Sequence, residues 1–134
     1  MKSSELQTGD YVFVKPSMML IKIDAVHHKK VGYHAVTHKL NWVRMDLLEP
    51  ITLTLEILER NGFELRNGFL YHRIDDKPHH YDFKLENGGV FTSEGYTLQC
   101  CIYHLTIRYV HELQHALRIC RLNDLADNFK IEER

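Results

Sequence analysis

One string in the sequence has the residue types and the spacing of a catalytic zinc site: His-Glu-Leu-Gln-His at positions 111–115. On an α-helix, histidines four residues apart lie on one face, so both imidazoles can bind the same Zn²⁺. The glutamate between them can act as general base for a zinc-bound water molecule. The pattern predicts a zinc-dependent metallopeptidase with His111 and His115 as ligands and Glu112 as the base.

The composition and the helical pattern weigh against that interpretation. Ten histidines in 134 residues make a chance match much more frequent than in an average protein. On a helical wheel, an apolar stripe runs through Thr106, Val110, Leu113 and Leu117, and the two histidines fall on the opposite face. Arg108 and Arg118 would lie beside the histidines and repel a dication. We therefore expect this face to be a solvated helix surface.

A third zinc ligand is also missing from the local sequence. No Gly-x-x-His segment follows His115, and Glu132 and Glu133 stand in a polar tail, residues 123–134, that is expected to fray. We interpret His111 and Gln114 as structural or contact residues instead of ligands. No cofactor is expected under this interpretation. Zinc is expected only if the peptidase hypothesis holds.

A second group of residues has the character of a nucleic-acid contact. Residues 22–39 contain four lysines and one aspartate, a local charge of 4 − 1 = +3, and Lys29 and Lys30 are adjacent. Tyr33 and Trp42 could stack on bases while the lysines contact phosphates. The alternative is that both aromatic rings belong to a hydrophobic core and the lysines only keep a sheet edge soluble.

Composition and charge are those of a small folded protein. The chain is 44% hydrophobic and 26% charged, with a formal net charge of −1, so no attraction of the whole protein to nucleic acid or to anionic lipid is predicted. The longest aliphatic run, Met18–Ile21, is far too short to span a membrane, and residues 1–10 hold no signal-peptide core. Cys100, Cys101 and Cys120 do not form a disulfide pattern. These features predict a cytoplasmic protein without a membrane partner.

The first fifty residues are predicted to form short strands only. Apolar or alternating runs at 11–14, 19–25, 31–37 and 41–45 are separated by turn residues. Four short strands without a helix signal are typical of a small barrel. We predict an SH3-like β-barrel subdomain over residues 1–50.

Residues 51–134 are predicted to form an α+β subdomain. Thr54 is a favourable N-cap and Gly62 a favourable terminator for a helix over 54–61. A β-meander over 63–105 follows, with Asn67–Gly68 as a hairpin turn. The apolar period then changes to that of a helix over 106–122. The whole chain is accordingly assigned to the α+β class.

Two segments resemble a known group of proteins. PITLTLEILERNGF (50–63) and RYVHELQHALRIC (108–120) are similar to segments of a family of small proteins from gut Bacteroidota and their phages and mobile elements. The resemblance implies a cytoplasmic protein linked to a phage or mobile element, and it brings no established activity. In the family pattern the fixed residues correspond to Tyr109, Val110, His111, Leu113 and Gln114. Glu112 and His115 are outside that pattern.

The sequence thus favours a non-enzymatic interaction module that binds an unidentified protein partner. The zinc metallopeptidase is the first alternative. A nucleic-acid-binding barrel that uses Lys29, Lys30, Tyr33 and Trp42 is the second.

Overall fold

The structure, a computed structural model, describes residues 1–35, 38–66, 69–76, 79–87, 96–100 and 103–132. It contains both helices and antiparallel sheets, which confirms the predicted α+β class. The chain forms two compact units. Unit 1 consists of Met1–Thr52 and Tyr109–Phe129, and unit 2 of Leu53–Arg108 and Lys130–Arg134. No helix in these described residues has the length and apolar character needed to cross a membrane.

Unit 1 contains two three-stranded antiparallel sheets. In the first, β1 (Tyr11–Val14) lies between β2 (Met19–Lys22) and β6 (Leu48–Glu49). In the second, β4 (Lys30–His34) lies between β3 (Ala25–Val26) and β5 (Leu40–Arg44). The strand predicted at 19–25 is thus divided into β2 and β3, and the last two residues of the strand predicted at 31–37 lie outside the described residues. Neither sheet closes on itself through the strand pairs of the described chain.

Both sheets of unit 1 contribute to one hydrophobic core. Alternate residues of β1 point inward, which buries Val12 and Val14 and leaves the residues between them half-buried. The other buried members of the core are Leu6, Ile21, Ile23, Val31, Met45 and Leu48. Each such side chain stabilises the fold by roughly 1.5–3 kcal/mol on complete burial. Short 3₁₀ turns at Ser3–Glu5 and Met45–Leu47 place Leu6 and Met45 at this core.

Two C-terminal helices belong to unit 1: α2 (Val110–Ile119) and α3 (Asn123–Asp127). The prediction of a helix over 106–122 was wrong at its start, because residues 103–107 continue a strand. The expectation that residues 123–134 fray was also wrong for the described part, residues 123–132: α3 forms there, and Ala126, Phe129 and Ile131 are buried. Cys120, at the C-cap of α2, is half-buried, and the side chains of Cys100 and Cys101 lie outside the described part.

Unit 2 begins with α1 (Leu55–Arg60), which lies within the predicted 54–61. The Thr54 hydroxyl accepts a hydrogen bond from the Ile57 N–H at 3.2 Å, and Gly62 follows with a φ of 86°, in the left-handed region that favours glycine. Five antiparallel strands follow in the order of a meander: β7 (Glu64–Arg66), β8 (Phe69–Asp76), β9 (His79–Asn87), β10 (Tyr96–Cys100) and β11 (Tyr103–Ile107). The predicted Asn67–Gly68 turn lies outside the described residues.

The end of the chain is attached to α1. Asn61 is buried; its side-chain amide donates to the carbonyl of Lys130 at 2.8 Å and accepts from the Lys130 N–H at 2.6 Å. Arg60 donates to the carbonyl of Ile131 at 2.8 Å. Three hydrogen bonds therefore hold the C-terminal segment on unit 2.

Candidate functional site

The polar face of α2 packs against a buried carboxylate near the start of the chain. Asp10 is completely buried, and its Oδ2 lies 2.6 Å from Nε2 of His115. Its Oδ1 accepts a hydrogen bond from Nη1 of Arg118 at 2.7 Å. A buried carboxylate is tolerated only with such partners, so this cluster orients both side chains of α2. The sequence gives no local sign of it, because Gly9–Asp10 has the composition of an ordinary turn.

The prediction that this face of α2 is a solvated helix surface was therefore wrong. His111 is only 4% exposed, and the Arg118 side chain 16%. The helical wheel identified the apolar stripe. The opposite face also contacts protein, because Arg118 forms ion pairs with Asp10 and Asp127. Arg108 lies outside α2, which begins at Val110.

Gln114 is a second connection between α2 and the N-terminal strands. It is completely buried, its Oε1 accepts the N–H of Tyr11 at 3.0 Å, and its Nε2 donates to the carbonyls of Gly9 and Ala126 at 2.9 and 2.7 Å. These bonds satisfy the buried amide and explain why helices at 110–127 belong to unit 1. That grouping differs from the sequence-based division at residue 50.

Two of the three groups a zinc peptidase needs are engaged in other bonds. Nε2 of His115 faces Asp10, and Oε1 of Glu112 accepts the N–H of Tyr109 at 3.0 Å, which caps the start of α2. Among the side chains that the structure describes, no group of three or more His, Cys, Asp or Glu is arranged to hold a metal ion. Glu133, one candidate third ligand, is outside the described residues.

A cleft of about 500 Å³ opens beside the first turn of α2. Its polar side chains are Glu5, Tyr109, His111, Glu112 and His115, and Met1 and Pro50 complete the wall; we call it the α2 cleft. The His111 ring is parallel to that of Tyr109, with centroids 5.8 Å apart, and its buried Nδ1 has no hydrogen-bond partner among the residues that the structure describes. Burial lowers the pKa of His111, because the imidazolium would lose its hydration, so this ring is neutral at physiological pH.

The outer face of the second sheet carries an exposed tryptophan. Trp42 is 46% exposed and lies opposite Gly32 in the β4–β5 register. A Cβ atom on Gly32 would lie 3.4 Å from Cζ3 of Trp42 and 3.0 Å from Cδ1 of Leu40, so both side chains lie across the glycine. The ammonium of Lys30 is 4.8 Å from the Trp42 ring centroid, in cation–π contact.

One alternative from the sequence placed the rings of both Tyr33 and Trp42 in a hydrophobic core, and only one of the two rings lies there. Tyr33 is half-buried and packs against the hydrophobic core of unit 1. Trp42 points to the other side of the sheet, because it occupies a position of opposite parity in β5 from the half-buried Asn41 and Val43.

A basic cleft lies beside this tryptophan. It has a volume of about 650 Å³, and its charged side chains are Lys2, Lys29, Arg44 and Asp46, a net charge of 3 − 1 = +2. Arg44 is opposite Lys30 in the strand register, so the cleft and the Trp42 surface adjoin. Asp46 accepts two hydrogen bonds from the Arg44 guanidinium, at 3.1 and 2.7 Å, and both side chains are well exposed.

Comparison of the chain with protein-family models, with curated proteins and with solved structures found no match. The functional assignment therefore depends on the geometry of the two clefts and of the Trp42 surface.

Proposed function

We propose that the protein is a non-enzymatic binding module and that its ligand is single-stranded nucleic acid. The observation that carries the proposal is Trp42, a tryptophan side chain that is 46% exposed and has the Lys30 ammonium 4.8 Å from its ring centroid. Proteins that bind single strands combine exposed aromatic rings, on which bases stack, with cations that follow the phosphates.

The proposed architecture of unit 1 is an SH3-like small barrel. Six short antiparallel strands in two sheets share one core, and a 3₁₀ turn at Met45–Leu47 precedes the last strand. In such small β folds a sheet face is a frequent site for oligonucleotides. The Trp42 surface is on a sheet face of this kind.

Phosphate groups would be held by the basic cleft. Arg44 follows Trp42 by two positions on the same face of β5, about 7 Å along the strand. This spacing suits a nucleotide whose base stacks on the ring while its phosphate reaches Arg44 and Lys29. Because the Arg44–Asp46 pair is exposed to solvent, a phosphate can reach Arg44 and replace Asp46 as its partner.

The setting we propose is the cytoplasm of a bacterium that carries a phage or mobile element, as the resemblance of residues 50–63 and 108–120 implies. A protein partner at the same surface is the alternative, since tryptophan is also enriched at protein interfaces. The two differ in salt dependence: for a single strand, the slope of log K against log salt changes by about 0.7 for each phosphate that the protein neutralises.

The test is the binding of fluorescently labelled oligo(dT) and oligo(U), followed by anisotropy at several salt concentrations. Stacking also quenches the fluorescence of Trp42, the only tryptophan of the chain. Trp42→Ala is expected to weaken binding about tenfold, since one stacked base contributes about 1–3 kcal/mol. Lys30→Ala is expected to weaken it less and to reduce the salt slope. Lys15→Ala, at an exposed lysine paired with Glu49, is the matched control.

Binding that is unchanged in Trp42→Ala would refute the proposal. Binding of a protein, and of no oligonucleotide, through Trp42 would replace it with the protein-partner alternative.

We further propose that the module needs no metal cofactor, because Glu112 and Nε2 of His115 already have partners. Metal analysis of untagged protein tests this. Stoichiometric zinc that is lost in His115→Ala, with a peptidase activity lost in Glu112→Gln, would favour the metallopeptidase instead.

A further inference from the structure

We propose that the basic cleft binds the terminal phosphate of a single strand, so that the ligand is a strand whose end carries a phosphate monoester. This inference rests on the proposed function and makes it more specific. The base at the end of the strand stacks on Trp42, and the phosphate at that end enters the cleft.

The charge of the basic cleft matches a phosphate monoester better than a phosphodiester. Its cations are Lys2, Lys29 and Arg44 and its anion is Asp46, a net charge of 3 − 1 = +2. A phosphate monoester carries a charge of about −1.5 to −2 at pH 7 and three oxygens that accept hydrogen bonds. A phosphate inside a strand carries a single negative charge and would leave about one positive charge of the cleft unmatched.

The cations of the basic cleft are accessible to a ligand. Lys2 and Lys29 are exposed, and neither has a carboxylate partner among the residues that the structure describes. Arg44 donates from Nε and Nη2 to the two carboxylate oxygens of Asp46, at 3.1 and 2.7 Å. A guanidinium binds phosphate oxygens in the same bidentate manner, so the Asp46 carboxylate occupies a position that a phosphate can take.

Three segments of unit 1 form the basic cleft. They are residues 1–4, residues 28–29 in the turn between β3 and β4, and residues 44–46 at the end of β5. The second and third segments are joined by the Met45 N–H, which donates to the carbonyl of Lys29 at 2.9 Å. Met45 is itself buried in the core of unit 1. The hydrophobic core therefore holds the backbone beside Lys29 and Arg44 in place before a ligand arrives.

The Trp42 surface has its strongest positive charge at the end that adjoins the basic cleft. Three pairs follow one another along the β4–β5 register: Lys30–Arg44, Gly32–Trp42 and His34–Leu40. Paired residues project to the same face of a sheet, so Lys30 and Arg44 lie together on one side of the tryptophan. On its other side His34 binds the Asp24 carboxylate at 2.8 Å, and Lys39 precedes Leu40. This polarity suits a strand that ends at the cleft with its most highly charged group.

The test is a competition between a fluorescently labelled oligo(dT) and unlabelled oligo(dT) of about six nucleotides, a length within the usual site sizes. The competitor carries a 5′-phosphate, a 3′-phosphate, or hydroxyl groups at both ends. At constant ionic strength, a terminal phosphate is expected to raise the affinity about tenfold, the effect of one additional charge-assisted hydrogen bond. The two phosphorylated forms distinguish the two ends from which the phosphate can come.

Two substitutions change the charge of the basic cleft in opposite directions. Lys2→Ala leaves a charge of 2 − 1 = +1 and should remove most of the preference for a phosphorylated end. Asp46→Asn keeps an oxygen that accepts from Arg44, removes the negative charge, and should increase the preference. A loss of folding cannot produce such an increase. Lys15→Ala, at an exposed lysine paired with Glu49, is the matched control and should keep the wild-type preference.

Equal binding of the hydroxyl form and both phosphorylated forms to the wild type would overturn the proposal. A preference that is unchanged in both Lys2→Ala and Asp46→Asn would also overturn it, because the terminal phosphate would then bind elsewhere. If all forms bind equally and Trp42→Ala weakens them all, the nucleic-acid proposal stands and only the terminal site is wrong. If no form binds, the nucleic-acid proposal fails, and this inference fails with it.

Discussion

At the scale of single residues, the buried carboxylate of Asp10 allows α2 to carry the largely buried polar side chains of His115 and Arg118. Its carboxylate lies 105 positions before His115 in the chain, yet the two side chains are 2.6 Å apart. Without this carboxylate, the side chains of Arg118 and His115 would need water to replace the hydrogen bonds to Asp10. The sequence identified the HELQH string by its spacing, but the string's partner could not be predicted, because no local pattern connects residues 10 and 115. Long-range pairs of this kind are set by the fold and not by neighbours in the sequence.

His111 should make the stability of unit 1 depend on pH. Burial lowers the pKa of its ring from the ordinary value of 6.5, so the folded state favours the neutral form. The stabilisation is complete above pH 6.5 and is lost as the pH falls through 6.5 toward the folded pKa, with a limiting slope of about 1.4 kcal/mol per pH unit. Urea unfolding followed by Trp42 fluorescence, between about pH 8 and about pH 5.5, measures this loss.

In His111→Gln the loss between those pH values should be smaller, because the titrating ring is gone. His28→Gln, at an exposed position, is the control and should behave like the wild type. An identical pH dependence in His111→Gln and wild type would contradict the assignment to His111.

At the scale of elements, local signals predicted α1 and the presence of α2, but they misplaced the start of α2 and missed α3. Thr54 caps α1 through its own hydroxyl, an interaction within four residues that the sequence displays. The start of α2 was placed too early, because Thr106 pairs with Thr97 across β10–β11 and strand pairing outweighs helical periodicity. Helix α3 was missed because its stability comes from burial of Ala126, a tertiary effect.

The exposure of Trp42 could not be predicted from the sequence either, because both faces of β5 carry apolar residues. A signal was nevertheless present. Gly32 stands inside a strand, where a glycine often marks the close approach of another group, and here the side chains of Leu40, Ala25 and Trp42 approach it. A glycine opposite an aromatic residue in a predicted strand pair therefore indicates that side chains of the facing strand come close to the sheet backbone.

The C-terminal segment should detach when Asn61 is replaced. In Asn61→Ala the two bonds to Lys130 are removed, and the Lys130 carbonyl and N–H lose these partners. Trypsin cleaves after lysine, so limited proteolysis should cut the chain at Lys130 much faster than in the wild type. Asn41→Ala, which removes only a local bond to Lys39, is the matched control. Equal cleavage at Lys130 in the two variants would show that Asn61 does not hold the segment.

At the scale of the whole molecule, the two units are interleaved along the chain. Residues 53–108 of unit 2 stand between the two parts of unit 1. Within unit 1, Thr52 and Tyr109 form an antiparallel bridge, and the Val110 N–H donates to the carbonyl of Ile51 at 2.9 Å. The two ends of the inserted segment therefore leave unit 1 side by side.

Unit 1 should consequently fold without residues 53–108. An Asn-Gly turn can join adjacent antiparallel segments, so we expect a chain of residues 1–52, Asn-Gly and 109–129 to unfold cooperatively, as measured by Trp42 fluorescence in urea. Residues 1–52 alone should not fold, because Asp10 would lose Arg118 and the Gly9 carbonyl would lose Gln114. A folded 1–52 fragment, or an unfolded joined chain, would contradict this expectation.

The pairing of Asp10 with Arg118 has a consequence for the order of events during synthesis. The two residues are 108 positions apart. At ribosomal rates of about 5–20 residues per second, the interval between them is roughly 5–20 s. During that interval the nascent strands of unit 1 have no α2 to cover Asp10, while the β-meander of unit 2 leaves the ribosome as one uninterrupted segment. The strands of unit 1 that are made first are thus completed only after Arg118 has been made, and until then the Asp10 carboxylate has no guanidinium to pair with.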